Sequence, residues 1–186
     1  MTNERRKALF PALRAVLVVC LLVPVAAPTH AEALEAVKGG TYDIDLILGR
    51  SALQIGDYVK ALRLFRIAAE KGKISSGLAQ YSLGLMYDEG QGVPQDYAEA
   101  VKWYRKAAEQ GHARAQNNLG AMYYKGRGVP QDYAEAHMWF NLAASRFPPG
   151  EDRDKAVENR DLLAEKMTPA QISKAQKLAR EWKPKK

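Results

Sequence analysis

Small and apolar residues recur through the middle of this chain with a helical period, and then the whole pattern recurs. Ala79, Leu83, Gly84, Met86 and Tyr87 are spaced i, i+4, i+5, i+7 and i+8, one face of a first helix. Asp88-Glu-Gly90-Gln-Gly92 interrupts it: the glycines supply the positive φ that a helix stop and a tight loop need, and Val93, ahead of Pro94, is held out of the helical region. Asp96-Tyr-Ala-Glu99 has the form of a capping box, in which Asp bonds the N3 amide and Glu reaches back. From it Tyr97, Ala100, Val101, Tyr104, Ala107 and Ala108 run with a 3.6-residue period to Gly111. The segment Gly92-Val-Pro-Gln-Asp-Tyr-Ala-Glu-Ala100 then returns letter for letter at 128–136, 36 residues later. Ala115, Gln116, Leu119, Gly120, Met122, Tyr123 and Gly126 repeat the first helix at that offset, and Trp139, Ala143 and Ala144 repeat Trp103, Ala107 and Ala108. A fixed period of this size predicts a solenoid, in which each helical hairpin buries its apolar face against its neighbours.

A third, degenerate unit precedes these two. Leu48-Gly49, Ala52, Gly56-Asp57-Tyr58, Ala61, Phe65 and Ala68-Ala69 follow the same order, with Tyr58 standing 39 residues before Tyr97 and the extra residues placed in a turn at 75–77. Glycines at 84 and 120 and the alanine pairs predict close helix approach, with Trp103 and Trp139 filling the wider gaps. Phe147-Pro-Pro-Gly150 ends the periodic region. A charged helix over 151–166 follows, with Ala156, Val157, Arg160, Leu163 and Ala164 inward, and then a helix opened by the capping box Thr168-Pro-Ala-Gln171 that packs Ile172, Ala175, Leu178, Ala179 and Trp182. A polar outer helix suits the end of a solenoid. The expected organisation is a leader (1–31), a short linker (32–42), a solenoid (43–146, with units at 43–75, 76–111 and 112–147) and a helical cap (147–183). About eight helices in one all-α domain are expected.

The two clear units resemble the Sel1-like repeat, a relative of the tetratricopeptide repeat. Ala79, Leu83, Gly84, Tyr87, Gly90, Gly92, Val93, Asp96, Ala100, Trp103, Tyr104, Ala107, Ala108 and Gly111 fill that family's pattern, and the second unit fills it from Ala115 to Ala144. The 43–71 hairpin lacks the tryptophan and the Gly-Val-Pro loop. The resemblance implies a right-handed α-solenoid of Sel1-like, TPR-like hairpins whose first helices line a concave groove for other proteins. A cysteine-rich branch of the family, linked to β-lactam or peptidoglycan-like ligands, is a poor guide here.

Composition narrows the setting. Arg5, Arg6, Lys7 and Arg14 precede an apolar run at 15–27, and Thr29-His-Ala31 offers a small-residue cleavage site, with Ala31-Glu-Ala33 as a second choice. This is the form of a secretory signal peptide, and the run, broken by Pro24 and Pro28, is too short for a membrane anchor. Cys20 follows Val19 inside the run, which does not suit a lipid-anchored cysteine. The expected product is exported, periplasmic or secreted, with no stable membrane insertion after cleavage. It begins at Glu32 and has no cysteine, so packing alone must hold it. Without residues 1–31, 24 basic and 20 acidic residues remain, and the formal charge falls from +7 to +4. That is not a nucleic-acid footprint.

No zincin, nucleophile-elbow, P-loop or dinucleotide fingerprint occurs, and neither a cofactor nor a metal site is expected. His112 reads as a solvated turn residue and His137, in the place of Val101, as a half-buried helix residue. Asp88-x-Gly90-x-Gly92 lacks the ligand spacing of a calcium loop. By the geometry of related two-helix repeats, the groove positions are Leu46, Arg50 and Leu53, then Tyr81, Leu85 and Asp88, then Asn117, Ala121 and Tyr124. Arg50, Tyr81, Leu85, Asp88, Asn117 and Tyr124 are the candidate partner-binding residues, Tyr81 and Tyr124 foremost because tyrosine joins contact area to a polar tip. The reading is a non-catalytic exported adaptor for a protein or peptide. The alternative is a cell-envelope hydrolase or a peptidoglycan- or glycan-binding protein.

Overall fold

The computed structural model describes residues 43–71 and 76–185; the leader and linker expected at 1–42 lie outside them. Among the described residues eight helices follow one another: α1 Ile44–Gln54, α2 Tyr58–Glu70, α3 Ser76–Glu89, α4 Tyr97–Glu109, α5 Ala113–Lys125, α6 Tyr133–Arg146, α7 Glu151–Ala164 and α8 Pro169–Glu181. From α1 to α7 each helix packs on the next; α8 instead turns back and packs on α6. The described chain is thus a helical solenoid of three hairpins, α1–α2, α3–α4 and α5–α6, closed by α7 and α8. Ser76 and Gly77, expected in a turn, form the buried first turn of α3.

One framework recurs in every hairpin. A Cβ on Gly49 would lie 2.7 Å from the Phe65 ring, on Gly84 2.5 Å from Cε1 of Tyr104, and on Gly120 2.9 Å from Phe140. The glycines therefore admit an aromatic ring from the second helix of the same hairpin. The tryptophans predicted to fill the gaps sit one residue earlier, where Trp103 is half-buried and Trp139 buried. Helix spacing within a hairpin is set by ring thickness, which is why mid-helix glycine, at about 1 kcal/mol relative to alanine, is retained.

The identical nine-residue segment has a role residue by residue. Gly92 and Gly128 hold φ of 72° and 70°. A Cβ on Gly92 would meet Tyr58 Cβ at 2.7 Å, and one on Gly128 would meet Ala98 N at 2.7 Å, so each loop lies against the start of the preceding hairpin's second helix. Gln95 and Gln131 donate side-chain amides to the carbonyls of Asp88 (2.6 Å) and Tyr124 (2.7 Å), capping the helix just ended. Asp96 and Asp132 accept the Glu99 and Glu135 amides at 3.0 and 3.1 Å. The return half of the expected capping boxes is absent from these helices. The backbone amides of Asp96 and Asp132 already donate to Tyr87 and Tyr123 carbonyls (2.9 and 3.2 Å), and Glu99 pairs with Lys102 instead. The Thr168–Gln171 box of α8 is complete, with Pro169 at N1.

A hydrogen bond between hairpins also recurs. Arg66 of α2 donates to Tyr87 of α3, and Arg105 of α4 to Tyr123 of α5 at 2.6 Å. In the next unit Asn141 of α6, in the place of Arg105, accepts from Arg160 of α7 at 3.3 Å, one residue past the position equivalent to Tyr123. Helix α7 thus stands where the first helix of a fourth hairpin would. Its outer face is polar, and Glu151, Asp152 and Asp154 lie in its first turn, where the helix dipole favours negative charge.

Helix α8 covers α6. Ala175 and Ile172 join the cluster of Ala134 and Phe140, while Leu178, Ala179 and Trp182 pack with Met138, Trp139 and Leu142. Trp182 meets Trp139 edge-on at 6.4 Å and takes the Arg146 guanidinium on its face at 4.3 Å. Past the helix, Lys185 donates its amide to the Glu109 carbonyl at 2.8 Å.

Candidate functional site

Helices α1, α3 and α5 carry the predicted row, and the structure divides it into separate neighbourhoods. Arg50 is exposed on α1; the residues on α3 and α5 are half-buried. Tyr81 stacks on His112 with ring centroids 4.8 Å apart and lies 6.0 Å from the Tyr104 ring. Leu85 packs against the cluster that holds Leu119 and Met122 of α5. Asp88 accepts the Tyr104 hydroxyl at 3.1 Å. Tyr81 and Leu85 thus line a seam between successive hairpins, while Asp88 is tied to the second helix of its own hairpin.

On α5 the equivalent residues meet different neighbours. Asn117 is half-buried with an Oδ1 that has no hydrogen-bond partner among the described residues, and Ala121 packs beside Phe140. Tyr124 receives a hydrogen bond from the Lys166 amine at 2.6 Å, and that amine stands 5.1 Å from the ring centre. Tyr124, Phe140, Asn159, Leu162, Leu163, Glu165 and Lys166 line a cavity of about 180 Å³ that is open to solvent. A larger polar hollow of about 360 Å³ lies at the starts of α6 and α8, crossed by the Lys174–Asp132 ion pair at 3.2 Å.

The contrast between Asp88 and Tyr124 has a packing cause. Tyr104 presents a hydroxyl to position 88; Phe140, its counterpart, presents none to position 124. A carboxylate suits the first site and an aromatic ring the second, so this difference between the repeats follows from their interiors. Sequence comparison alone assigned it to the surface.

Burial sets the protonation chemistry here. Desolvation pushes the hydroxyls of Tyr81, Tyr104 and Tyr123 above the ordinary phenol value, with Asp88 adding to the shift of Tyr104. At neutral pH they act as neutral hydrogen-bonding groups and contact area. No group of three or more His, Cys, Asp or Glu able to hold a metal occurs among the described residues.

His112 is not the solvated turn residue expected from its place after Gly111. It is the N-cap of α5: its Nδ1 accepts the Ala115 amide at 3.2 Å while its ring lies on Tyr81. This requires a neutral imidazole, and burial, with Arg114 nearby, holds its pKa below the ordinary value. His137 is buried and its pKa is also depressed, by burial and then by Arg160. A depressed histidine pKa contributes stability above the unfolded value of about 6.5 that is lost as pH falls through the folded value. The melting temperature is therefore expected to drop on acidification below about pH 6.5. His112→Asn, which keeps a capping oxygen, combined with His137→Val, the residue of the preceding repeat, should flatten that dependence. An unchanged pH profile in the double variant would rule out this assignment.

Sequence reasoning missed two further structural groups. Gln116 is fully buried and donates to the Ala108 carbonyl at 3.0 Å, and its counterpart Gln80 accepts from Gln110 at 2.8 Å. Their recurrence beside Ala79 and Ala115 was the available signal.

The same organisation is found in known proteins. A family model described as Sel1 repeat matches residues 49–73, 77–112 and 113–146, the first falling on the degenerate hairpin. An exopolysaccharide production negative regulator of Rhizobium leguminosarum bv. viciae is 38% identical over 74 residues, 40% of this chain and 26% of that protein. The DAP3-binding cell death enhancer 1 of Rattus norvegicus is 42% identical over 60 residues, 32% of this chain and 11% of that protein. The chain thus spans about a quarter or less of these relatives. The crystal structure of c5321, a protective antigen present in uropathogenic Escherichia coli strains and displaying an SLR fold, aligns over 96% of this chain and 39% of its own. Its TM-score is 0.72 at 31% identity. A repeated glycine-and-ring framework, family-model matches on all three hairpins and this shared fold have one explanation: the chain belongs to the Sel1 repeat family.

Proposed function

We propose that this protein is an exported, non-catalytic adaptor that binds a protein or peptide segment along the row formed by α1, α3 and α5. The observation that carries the reading is the open cavity at Tyr124 and Lys166. Phe140, Leu163 and the half-exposed Leu162 line it beside an amine and a phenol, as an anchoring side chain with a polar neighbour would require. Arg50 supplies an exposed charge at the other end of the row. The name of the rat relative, which states that it binds DAP3, supports a protein as the class of partner. The framework residues are absorbed in packing, and burial holds the Tyr81 hydroxyl neutral, which favours recognition over catalysis.

Tyr81 is a poor probe of this surface, because its alanine variant would unstack His112 and confound folding with binding. Arg50→Glu with Tyr124→Ala is the better pair. Used as bait in periplasmic extract, the native protein is expected to retain a defined partner, and the variant to lose it about tenfold or more while melting within a few degrees of the native chain. Retention of the same partner by a folded variant would remove the row as the binding surface. Mass spectrometry of the recovered protein should find its N-terminus at Glu32 or Ala33's successor residue; an intact leader would overturn the export reading.

A further inference from the structure

The second helices of the three hairpins present one register to the outside, and the three faces are differently occupied. Offsets of 39 and 36 residues align Val59, Arg63 and Ile67 of α2 with Ala98, Lys102 and Lys106 of α4 and with Ala134, Met138 and Leu142 of α6. On α6 this stripe is apolar and buried, because α8 lies over it. On α4 it is largely polar and exposed, with Lys106 resting on the Trp103 ring at 4.1 Å. On α2 it is apolar at both ends yet open: Val59 is 72% and Ile67 37% exposed, and Ile55, at the preceding turn, is 76% exposed. The stripe that receives a helix in the third hairpin is present in the first, and no helix among the described residues lies over it.

We propose that this outer face of α2 is a second docking site, which takes one acidic amphipathic helix of a partner protein as α6 takes α8. The occupant's shape comes from α8, whose Ile172, Ala175, Leu178, Ala179 and Trp182 cover the equivalent stripe. Its charge comes from α2. Arg63 stands where α6 has Met138, Lys60 and Arg63 make no ion pair among the described residues, and Arg66 lies on the same helix, bonded to Tyr87. A carboxylate facing Arg63, flanked by apolar side chains for Val59 and Ile67, would complete the site. At the helix start Asp57 corresponds to Asp132, which pairs with Lys174 of α8, so one cation near the occupant's N-terminus also fits. A second copy of this chain fits poorly. Two α2 faces would oppose Arg63 and Lys60 to their own kind, and α8 itself carries Lys174, Lys177 and Arg180. A lipid surface fits less well than a helix, since the apolar stripe is one side chain wide and interrupted by Arg63.

The probe is a fluorescent synthetic peptide with the sequence of residues 168–182, carrying Lys177→Glu, Leu178→Glu and Arg180→Glu and keeping Lys174. Anisotropy titration should give saturable binding to the native chain. Val59→Ser with Ile67→Ser, both at exposed positions, should weaken it about tenfold or more, and so should Arg63→Glu alone. Arg50→Glu with Tyr124→Ala should leave it unchanged, which separates this site from the row on α1, α3 and α5. The unaltered peptide should instead favour the Arg63→Glu protein. Absence of saturation, or equal binding by the Val59/Ile67 variant, would overturn the proposal. So would a dimer in sedimentation velocity that the same variant abolishes, or variant-sensitive binding to phosphatidylglycerol vesicles without binding of the peptide.

Discussion

Gly128→Ala is expected to cost about 4 kcal/mol, far more than the same change at Gly56, although both glycines have positive φ. Their φ angles are 70° and 78°, so the backbone strain imposed on alanine is similar, about 1–2 kcal/mol. The surroundings differ. A Cβ on Gly56 meets nothing within 4 Å, whereas one on Gly128 would lie 2.7 Å from the Ala98 amide nitrogen and closer still to the Tyr97 carbonyl. Those are backbone atoms of the first turn of α4, held by the Asp96 cap, and they cannot rotate aside. Relief must come from parting the loop of the third hairpin from the second, which loosens the seam where Arg105 meets Tyr123. Urea denaturation of the two variants measures the difference directly. Equal costs would mean that the loop is not a docking element and that its glycine serves φ alone.

Tyr104→Ala is expected to cost about 3–5 kcal/mol, and to reverse the sign of a second substitution, Gly84→Ala. The Tyr104 ring is fully buried against Gly84, and its hydroxyl is tied to Asp88. In the native protein a Cβ on Gly84 would stand 2.5 Å from ring atom Cε1, and the overpacking should cost about 1–3 kcal/mol. With the ring removed, the same methyl enters the cavity and gains helix propensity of about 1 kcal/mol. Gly84→Ala should then stabilise. The four-member cycle of native, single and double variants gives the coupling by chemical denaturation. Additive costs would show that the ring and the glycine are not a fitted pair, and the same reasoning would then fail for Gly49 with Phe65 and Gly120 with Phe140.

Local chemistry was legible wherever a residue acts within a few positions of itself. Gly90 and Gly92, Val93 before Pro94, Asp96 and Asp132 as caps and the Thr168–Gln171 box could all be read from spacing, because turn and cap geometry depends on near neighbours. The reach-back of Glu99 and Glu135 could not, because the amides they would accept from are taken by the helix before, a contact that depends on how the hairpin closes. His112 was misread for the same reason. Its place after Gly111 describes a turn, but the stacked Tyr81 comes from 31 positions earlier and turns it into a half-buried cap.

The candidate row shows the same division. Helical period and family resemblance selected Tyr81, Leu85, Asp88, Asn117 and Tyr124 as one face of successive helices. Which of them reach solvent, and which are engaged by Tyr104, His112 or Lys166, depends on side chains between 16 and 42 residues away. By itself the sequence determined the number and kind of helices, their caps and loops, and the membership of three hairpins in one repeating stack, since period, glycine and proline act locally. Only the tertiary structure decided that the glycines fit rings, that α7 stands as the first helix of an unfinished hairpin, and that α8 folds back to cover α6 while no described helix covers the outer face of α2. The same helix face can be core or surface, and that is settled by which distant segment lies over it.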